Sequence, residues 1–219
     1  MPDLHVLRVF AGPDGSGGNP LGVVLDGAAV PAARRQEVAA DLGFSETVFV
    51  DHAERGTIRI FTPAAELPFA GHPTVGTSWL LARERMPVEV LRPPAGDVPT
   101  WAEGALTWIG ARPEWAHPLE RHKLASAGQV ESAAPAGRDL ELWAFEDEEA
   151  GLVRARVFFP SLGITEDEAT GAAAVQLGAE LGRPILIRQG MGSLLHARPG
   201  PGGTVEVGGR VVLDEVRAL

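Results

Sequence analysis

The chain has 219 residues, 45% of them hydrophobic and 22% charged, a composition typical of a folded globular protein with a substantial core. Its formal net charge of −10 argues against non-specific binding to nucleic acid or to an anionic membrane. There is no cysteine, which excludes disulfides, thiolate catalysis and cysteine-based zinc sites, and the single lysine, Lys123, gives little support to Schiff-base chemistry.

No apolar run is long enough to span a bilayer, and the first residues, MPDLHVLRVF, lack the plan of a signal peptide. We therefore expect a cytoplasmic protein without a membrane partner.

The first half of the chain combines strands with two helices. Strands are predicted at residues 4–10, 21–27, 58–62 and 88–91, and in the stretch 44–52 after a turn that carries Ser45 and Glu46. Helices are predicted at residues 31–42, where Gly43 is expected to end the helix, and at residues 73–83; both begin with proline. The loop AGPDGSGGNP is not a dinucleotide site, because Pro20 stands where the third glycine of G-x-G-x-x-G belongs and no helix follows.

Residues 93–97, PPAGD, are predicted to link two lobes, 1–95 and 96–219. In the second lobe, residues 113–137 show no clear pattern and are expected to form a loop. Its strands are predicted at residues 101–109, 140–145, 152–159, 184–188, 194–196, 205–207 and 211–214, and its helix at 170–181. Strands outnumber helices and each half has one central helix, which predicts an α+β fold with a helix wrapped by sheet in each lobe.

Two stretches of the chain read as versions of one another. They are RIFTPAAELPFAGHPTVGTSWLL, residues 59–81, and RVFFPSLGITEDEATGAAAVQLGAEL, residues 156–181. Three extra residues in the second loop align Gly71 with Gly171, and each glycine opens a helix of small residues. Free backbone N–H groups at a helix start suit an anionic ligand, so the repeat predicts two helix N-termini that face one cleft. The alternative is two unrelated strand–helix units.

Three side chains are candidates for chemistry, and each has a structural alternative. Glu46 lies between Ser45 and Thr47, where partial burial would raise its pKa towards that of a useful base; the alternative is a solvated turn carboxylate. His72 follows Gly71 at a helix start, and the alternative is a purely structural histidine. Asp167 precedes the second helix, and the alternative is a helix-capping acid.

Motifs for metals and nucleophiles are incomplete. The stretch HPLERH offers His117, Glu120 and His122, but without a recognised zinc spacing. Thr47 replaces the second glycine of a G-x-S-x-G elbow around Ser45, and neither H-E-x-x-H nor a P-loop occurs. The sequence predicts no metal and no cofactor.

Five stretches of the chain resemble, in the same order, motifs of the phenazine-biosynthesis isomerase family (PhzF-like): GNPLGVVLD, FSETVFV, RIFTPAAELPFAGHPTVG, RVFFPSLGITEDEATGAAA and VEVGGRVVL. The resemblance spans nearly the whole chain. It implies the diaminopimelate-epimerase fold, in which two pseudo-symmetric lobes each have a curved, mostly antiparallel sheet around a central helix. The final strand is a candidate to return to the first lobe.

The resemblance assigns the acid/base carboxylate to Glu46 and further catalytic roles to His72 and Asp167. The residues that it assigns to substrate binding are Ser45, Gly71, Gly171 and Ala172, with the two glycines holding a carboxylate through backbone N–H groups. Related epimerases of this fold place a cysteine in each lobe, and this chain cannot use that two-thiol mechanism because it has no cysteine.

The chain departs from the family pattern in its second lobe. Ala172 stands where a small hydroxyl residue is usual, and Glu168 replaces a common proline. The usual Q-G-x-x-x-G-R-P-S segment is shortened to QGMGS, residues 189–193, and the chain is also short around residues 113–137.

The leading hypothesis is a cofactor-independent isomerase of a small cyclic or amino-acid-like carboxylate, resembling dihydro-hydroxyanthranilate isomerase, with a homodimer as the candidate assembly. No Arg or Lys occurs in ELPFAGHP or EDEATGA, so we expect the cleft to bind an anion through backbone N–H groups. A non-catalytic small-molecule sensor is the alternative that Ala172 and the trimmed lobe favour. A structural subunit without a working cleft is the third.

Overall fold

The computed structural model describes residues 2–135 and 137–219, which form fifteen strands and four α-helices. The strands are β1 (Asp3–Ala11), β2 (Asn19–Val24), β3 (Glu46–His52), β4 (Thr57–Phe61), β5 (Glu66–Leu67), β6 (Val90–Leu91), β7 (Val98–Glu103), β8 (Leu106–Ala111), β9 (Glu120–Lys123), β10 (Leu140–Asp147), β11 (Leu152–Phe159), β12 (Ile164–Asp167), β13 (Ile185–Gln189), β14 (Ser193–Pro199) and β15 (Val205–Ala218). The α-helices are α1 (Arg35–Leu42), α2 (Gly71–Arg83), α3 (Ala127–Ser132) and α4 (Gly171–Leu181). Within the described residues, no helix is long and apolar enough to cross a membrane.

One sheet runs through the molecule in the order β5-β4-β3-β2-β1-β15-β14-β13-β11-β10-β9. Most neighbouring strands are antiparallel; the parallel pairs are β2–β3, β9–β10 and β11–β13. Helix α2 packs on β1, β8 and β15, while α4 packs on β14 and β15. The predicted α+β class, with a helix packed against the sheet of each half, is confirmed.

The last strand joins the two halves. Its first part pairs with β14 and β8, and its second part, from Arg210 to Ala218, pairs with β1. The lobe boundary at residues 95 and 96 stays a prediction. Strands β7 and β8 follow that boundary in the chain, yet they also pack against α2.

The internal repeat has the same architecture in both copies. In each, a strand (β4 or β11) pairs antiparallel with a short strand (β5 or β12) that leads into a buried helix. Arg59, the first residue of one copy, makes a two-point ion pair with Glu66. Arg156, its equivalent, does the same with Glu166 at 2.6 and 2.7 Å. The acidic loops therefore fold back on the arginine that begins each copy.

Several element predictions were wrong in detail. Residues 101–109 are a hairpin of β7 and β8 that turns at Gly104, not one strand, and the stretch 113–137 contains β9 and α3. β9 is a polar edge strand and α3 has only six residues, so neither shows a hydrophobic period. The closing segments 205–207 and 211–214 are one strand, in which Gly208 is needed because the Trp108 ring lies against its backbone. The helix predicted from residue 31 begins as a 3₁₀ turn and becomes α-helical at Arg35.

Candidate active site

The two central helices begin against one another. A Cβ atom built on Gly71 would lie 2.6 Å from the carbonyl carbon of Gly171, and one built on Gly171 would lie 2.8 Å from the amide nitrogen of His72. Real Cβ atoms do not approach other atoms so closely, so only glycine allows this contact. The backbone N–H groups of both helix starts consequently converge, as the repeat predicts.

A narrow pocket of about 30 Å³ lies at these helix starts, space for a water molecule or two. Its lining residues are Glu46, Leu67, Phe69, Ala70, Gly71, His72, His117, Phe159, Leu162, Ile164, Asp167, Thr170, Gly171 and Ala172. The structure thus brings together six of the seven predicted site residues. The seventh, Ser45, is not part of the lining, and its hydroxyl donates to Asn19 Oδ1 at 3.0 Å. Among the described lining residues there is no Arg or Lys.

Glu46 is the first residue of β3 and is only 7% exposed. The idea of a solvated turn carboxylate is therefore wrong. Burial, and secondarily the negative charge of Asp167, raises the pKa of Glu46 to about 8, against a smaller opposing effect of the neighbouring Ser45 hydroxyl. Glu46 Oε2 has no hydrogen-bond partner within the described parts of the chain. A buried carboxyl oxygen left free in this way is ready to act on a ligand.

His72 lies in the first turn of α2 and is 2% exposed. Burial lowers its pKa to about 3, so the imidazole is neutral at physiological pH. Its Nε2 lies 3.4 Å from Glu46 Oε2, and this atom too lacks a hydrogen-bond partner among the described residues. Because the ring is neutral, this contact is not an ion pair. Two unsatisfied polar atoms therefore lie side by side in the pocket.

Asp167 ends β12 and is held by three surrounding side chains. Its Oδ1 accepts a hydrogen bond from Asn19 Nδ2 at 2.7 Å, and its Oδ2 accepts one from Thr170 Oγ1 at 2.6 Å. Gln189 Nε2 donates to the Asp167 carbonyl oxygen at 2.9 Å. The side chain does not cap α4, so the capping alternative is wrong. Burial raises the pKa of Asp167 to about 6, and the bonds from Thr170 and Asn19 limit that rise.

Comparison with known proteins shows the family to which the chain belongs. The family model described as phenazine biosynthesis-like protein matches residues 8–139, more than half of the chain. Trans-2,3-dihydro-3-hydroxyanthranilate isomerase from Pseudomonas fluorescens is 30% identical over 224 residues, which cover 80% of this chain and 81% of that enzyme. The chain belongs to the phenazine biosynthesis-like (PhzC-PhzF) family. The enzyme of the same name from Pseudomonas aeruginosa is 31% identical, over 76% of this chain and 75% of its own.

Solved structures agree on the fold of this PhzC-PhzF chain. A putative phenazine biosynthesis protein from Clostridium difficile superposes with a TM-score of 0.81 at 19% identity, covering 100% of this chain and 99% of the other. A predicted epimerase from Pseudomonas aeruginosa has a TM-score of 0.77 at 25% identity, with 100% and 99% covered. A probable proline racemase from Agrobacterium radiobacter has 0.69 at 10%, with 100% and 93% covered. The predicted diaminopimelate-epimerase-like fold is confirmed. The chain is an isomerase, as are the relatives named above.

Sequence reasoning did not single out two residues that organise the PhzC-PhzF site. Asn19 at the start of β2 ties the first half of the chain to the second copy of the repeat, because Nδ2 donates to Asp167 Oδ1 and to the Ala169 carbonyl oxygen at 2.9 Å. Gln189 at the end of β13 donates to Thr170 Oγ1 at 2.9 Å and accepts from the Thr170 backbone at 3.1 Å. Asn19 lies in GNPLGVVLD, a stretch that carries the resemblance, and Gln189 begins QGMGS, the shortened counterpart of a family segment; these two stretches are the signal that could have found them.

Glu168, the residue in the place of a common family proline, holds the shortened QGMGS turn. Its Oε1 accepts hydrogen bonds from the Met191 backbone at 2.8 Å and from Ser193 Oγ at 2.7 Å. Ser193 Oγ in turn accepts from the Gly18 backbone at 2.8 Å, which ties the turn to the glycine-rich loop of the first half. The two departures from the family pattern therefore support one another structurally. Ala172 lines the pocket and has no hydrogen-bonding group in its side chain.

The raised pKa of Glu46 predicts a specific dependence of stability on pH. The folded state holds the Glu46 proton more tightly than the unfolded state does. The contribution of protonated Glu46 to the free energy of unfolding is therefore fully present below pH 4.5 and is lost as the pH rises through about 8. Glu46→Gln removes this loss. We expect the variant to match the unmodified protein in acid and to exceed it in free energy of unfolding above the folded pKa, by on the order of a few kcal/mol. Urea unfolding at both ends of this pH window measures the difference. An equal difference at both ends would contradict the raised pKa.

Proposed function

We propose that this protein is a cofactor-independent isomerase that moves a proton between two carbons of a small cyclic carboxylate. The observation that carries the proposal is the buried, unpartnered Glu46 carboxyl beside the neutral His72 at the converging helix starts. A carboxyl group with a pKa near the working pH can both accept and return a proton, which is what such an isomerisation requires.

The substrate carboxylate is proposed to bind at the starts of α2 and α4. The first-turn N–H groups at Gly71 and Gly171 have no partner inside their own helices, and both helix dipoles favour a negative charge there. Each dipole contributes about 0.3–1 kcal/mol. The lining also includes the apolar side chains of Phe159, Leu162 and Ile164, which suit the faces of a carbon ring.

The reaction is proposed to proceed through Glu46 in its ionised form. Glu46 takes a proton from an activated carbon, the electron pair moves into the adjacent π-system and the double bond shifts. The Glu46 carboxylic acid then returns the proton to a different carbon, so the product has the composition of the substrate and Glu46 is ionised again. His72 and Asp167 are proposed to orient the polar substituents of the ring and to assist proton movement.

The first candidate substrate is trans-2,3-dihydro-3-hydroxyanthranilate, because the relatives from Pseudomonas fluorescens and Pseudomonas aeruginosa are named for its isomerisation. The pocket as it stands holds water-sized groups only. A ring can therefore enter only if the pocket walls move apart, and binding is expected to be accompanied by opening and closing of the cleft.

The test is incubation of the unmodified protein with this compound, and with a panel of cyclic carboxylates, in deuterated water. Isomerisation with incorporation of deuterium at one carbon is expected. Binding without exchange for every compound would favour the sensor role over the enzyme. If no compound binds and none undergoes exchange, the proposed substrate class is wrong.

A further inference from the structure

One polar side chain of the pocket comes from the second half of the chain but from outside both copies of the repeat. His117 comes from the stretch 113–137, and its ring packs edge-on against Phe159 with the ring centroids 5.7 Å apart. The side chain is 38% exposed, which places it at the mouth of the pocket and not in its floor. The other polar lining side chains, at Glu46, His72, Asp167 and Thr170, are all buried.

Asp139 holds the His117 ring in place. His117 Nε2 lies 2.9 Å from Asp139 Oδ2. The same aspartate accepts hydrogen bonds from the Ser161 backbone at 3.1 Å and from the Ser161 hydroxyl. Burial acts to raise the pKa of Asp139, but the bonds from Ser161 and His117 outweigh it and keep the pKa below its usual range. Asp139 engages Nε2 and leaves Nδ1 as the nitrogen available to a ligand, and the protonated form of an imidazole donates from both nitrogens.

The backbone of His117 is tied to the side of α4 that bears Ala172. Gln176 lies one helical turn after Ala172 and donates from Nε2 to the His117 carbonyl oxygen at 3.4 Å. The Ala172 side chain contributes no donor to this wall. His72 is neutral, and the described lining contains no Arg or Lys, so His117 is the side chain there that can present a positive charge to a substrate anion.

We propose that His117, oriented by Asp139, is a substrate-binding residue that donates a charge-assisted hydrogen bond to the substrate carboxylate from the Ala172 side of the pocket. The inference rests on the proposed function, since it takes the carboxylate to lie at the starts of α2 and α4. It also amends the expectation that backbone N–H groups alone recognise the anion. The proposed substrate is then a ring compound whose carboxylate is bound from two sides, by the N–H groups of the helix starts and by the imidazolium of His117.

The test compares two stable ring probes of the same shape, anthranilate with its carboxylate and anthranilamide with a neutral amide. Titration calorimetry is expected to show that His117→Gln weakens anthranilate binding about tenfold, since a charge-assisted bond is replaced by a neutral one. Anthranilamide binding is expected to change less than about twofold. His122→Gln is the matched control, because His122 also neighbours a carboxylate, Glu120, but does not line the pocket. It should change neither affinity.

Asp139→Asn is the second variant, and it leaves the His117 side chain present. It is expected to lower the preference for anthranilate over anthranilamide, a ratio that a merely structural loss would not change. An unchanged ratio in both variants, equal losses for both probes, or no binding of anthranilate by the unmodified protein would each overturn the role of His117. A failure of the isomerase proposal would give a different result. The unmodified protein would then show no deuterium exchange, while the ratio of the two affinities would still depend on His117.

Discussion

Glu46→Gln is expected to reduce deuterium exchange into the substrate by about 100- to 10,000-fold, the usual share of acid–base catalysis. Glutamine keeps the shape of the side chain but cannot accept a proton. Ligand affinity should change little, because the helix starts at Gly71 and Gly171, not Glu46, are proposed to hold the carboxylate. The measurement is exchange followed by NMR, with affinity from calorimetry on the same samples.

Glu46→Asp is the geometric control for this experiment. It keeps the carboxyl group but withdraws it by one methylene from the position beside His72 Nε2, so a base that must reach a carbon atom is also impaired. Unchanged exchange in Glu46→Gln would refute Glu46 as the base. The search would then move to Asp167, the other buried carboxyl group of the pocket, with a pKa raised to about 6.

Gly71→Ala is expected to destabilise the fold by about 1–3 kcal/mol and to abolish measurable exchange. The added methyl group would lie 2.6 Å from the Gly171 carbonyl carbon, so the two helix starts must separate. Their N–H groups would then no longer converge on one anion. Urea unfolding measures the loss of stability, and exchange is assayed at a temperature where the variant is folded.

Gly128→Ala is the matched control for Gly71→Ala. Gly128 also lies in the first turn of a helix, α3, and the nearest atom to a Cβ built there is Ser126 Oγ at 3.8 Å. Alanine is the better helix former, so this variant should match or exceed the unmodified protein in stability by up to about 1 kcal/mol. If Gly71→Ala behaved like this control in both assays, the two helix starts would have to be less tightly packed than they are here.

The expected fold followed from local patterns in the sequence. Strand β11 occupies residues 152–159 as predicted, and α2 and α4 begin at Gly71 and Gly171, within two residues of their predicted starts. These features depend on near neighbours in the chain, such as helix-opening glycines and alternating apolar residues. The repeat added one long-range relation, since two similar units predicted two helix starts at one cleft.

Where sequence patterns failed, the element had no periodic signal of its own. The polar edge strand β9 is stabilised by pairing with β10, and the long β15 contains Gly208 and Gly209, which read locally as a break. Pairing with β14, β8 and β1 keeps this stretch extended. Such partners lie far away in the chain, so the local sequence does not encode them.

The sequence by itself singled out Glu46, His72 and Asp167 as candidates, together with the glycines that begin the helices, since motif order and spacing carry that information. Only the tertiary structure decided their chemistry. Glu46 loses water because elements from both halves of the chain enclose it, and Asp167 is held by Asn19, 148 positions away. A pKa depends on burial and on the charges nearby, and both are set by packing between residues distant in the chain.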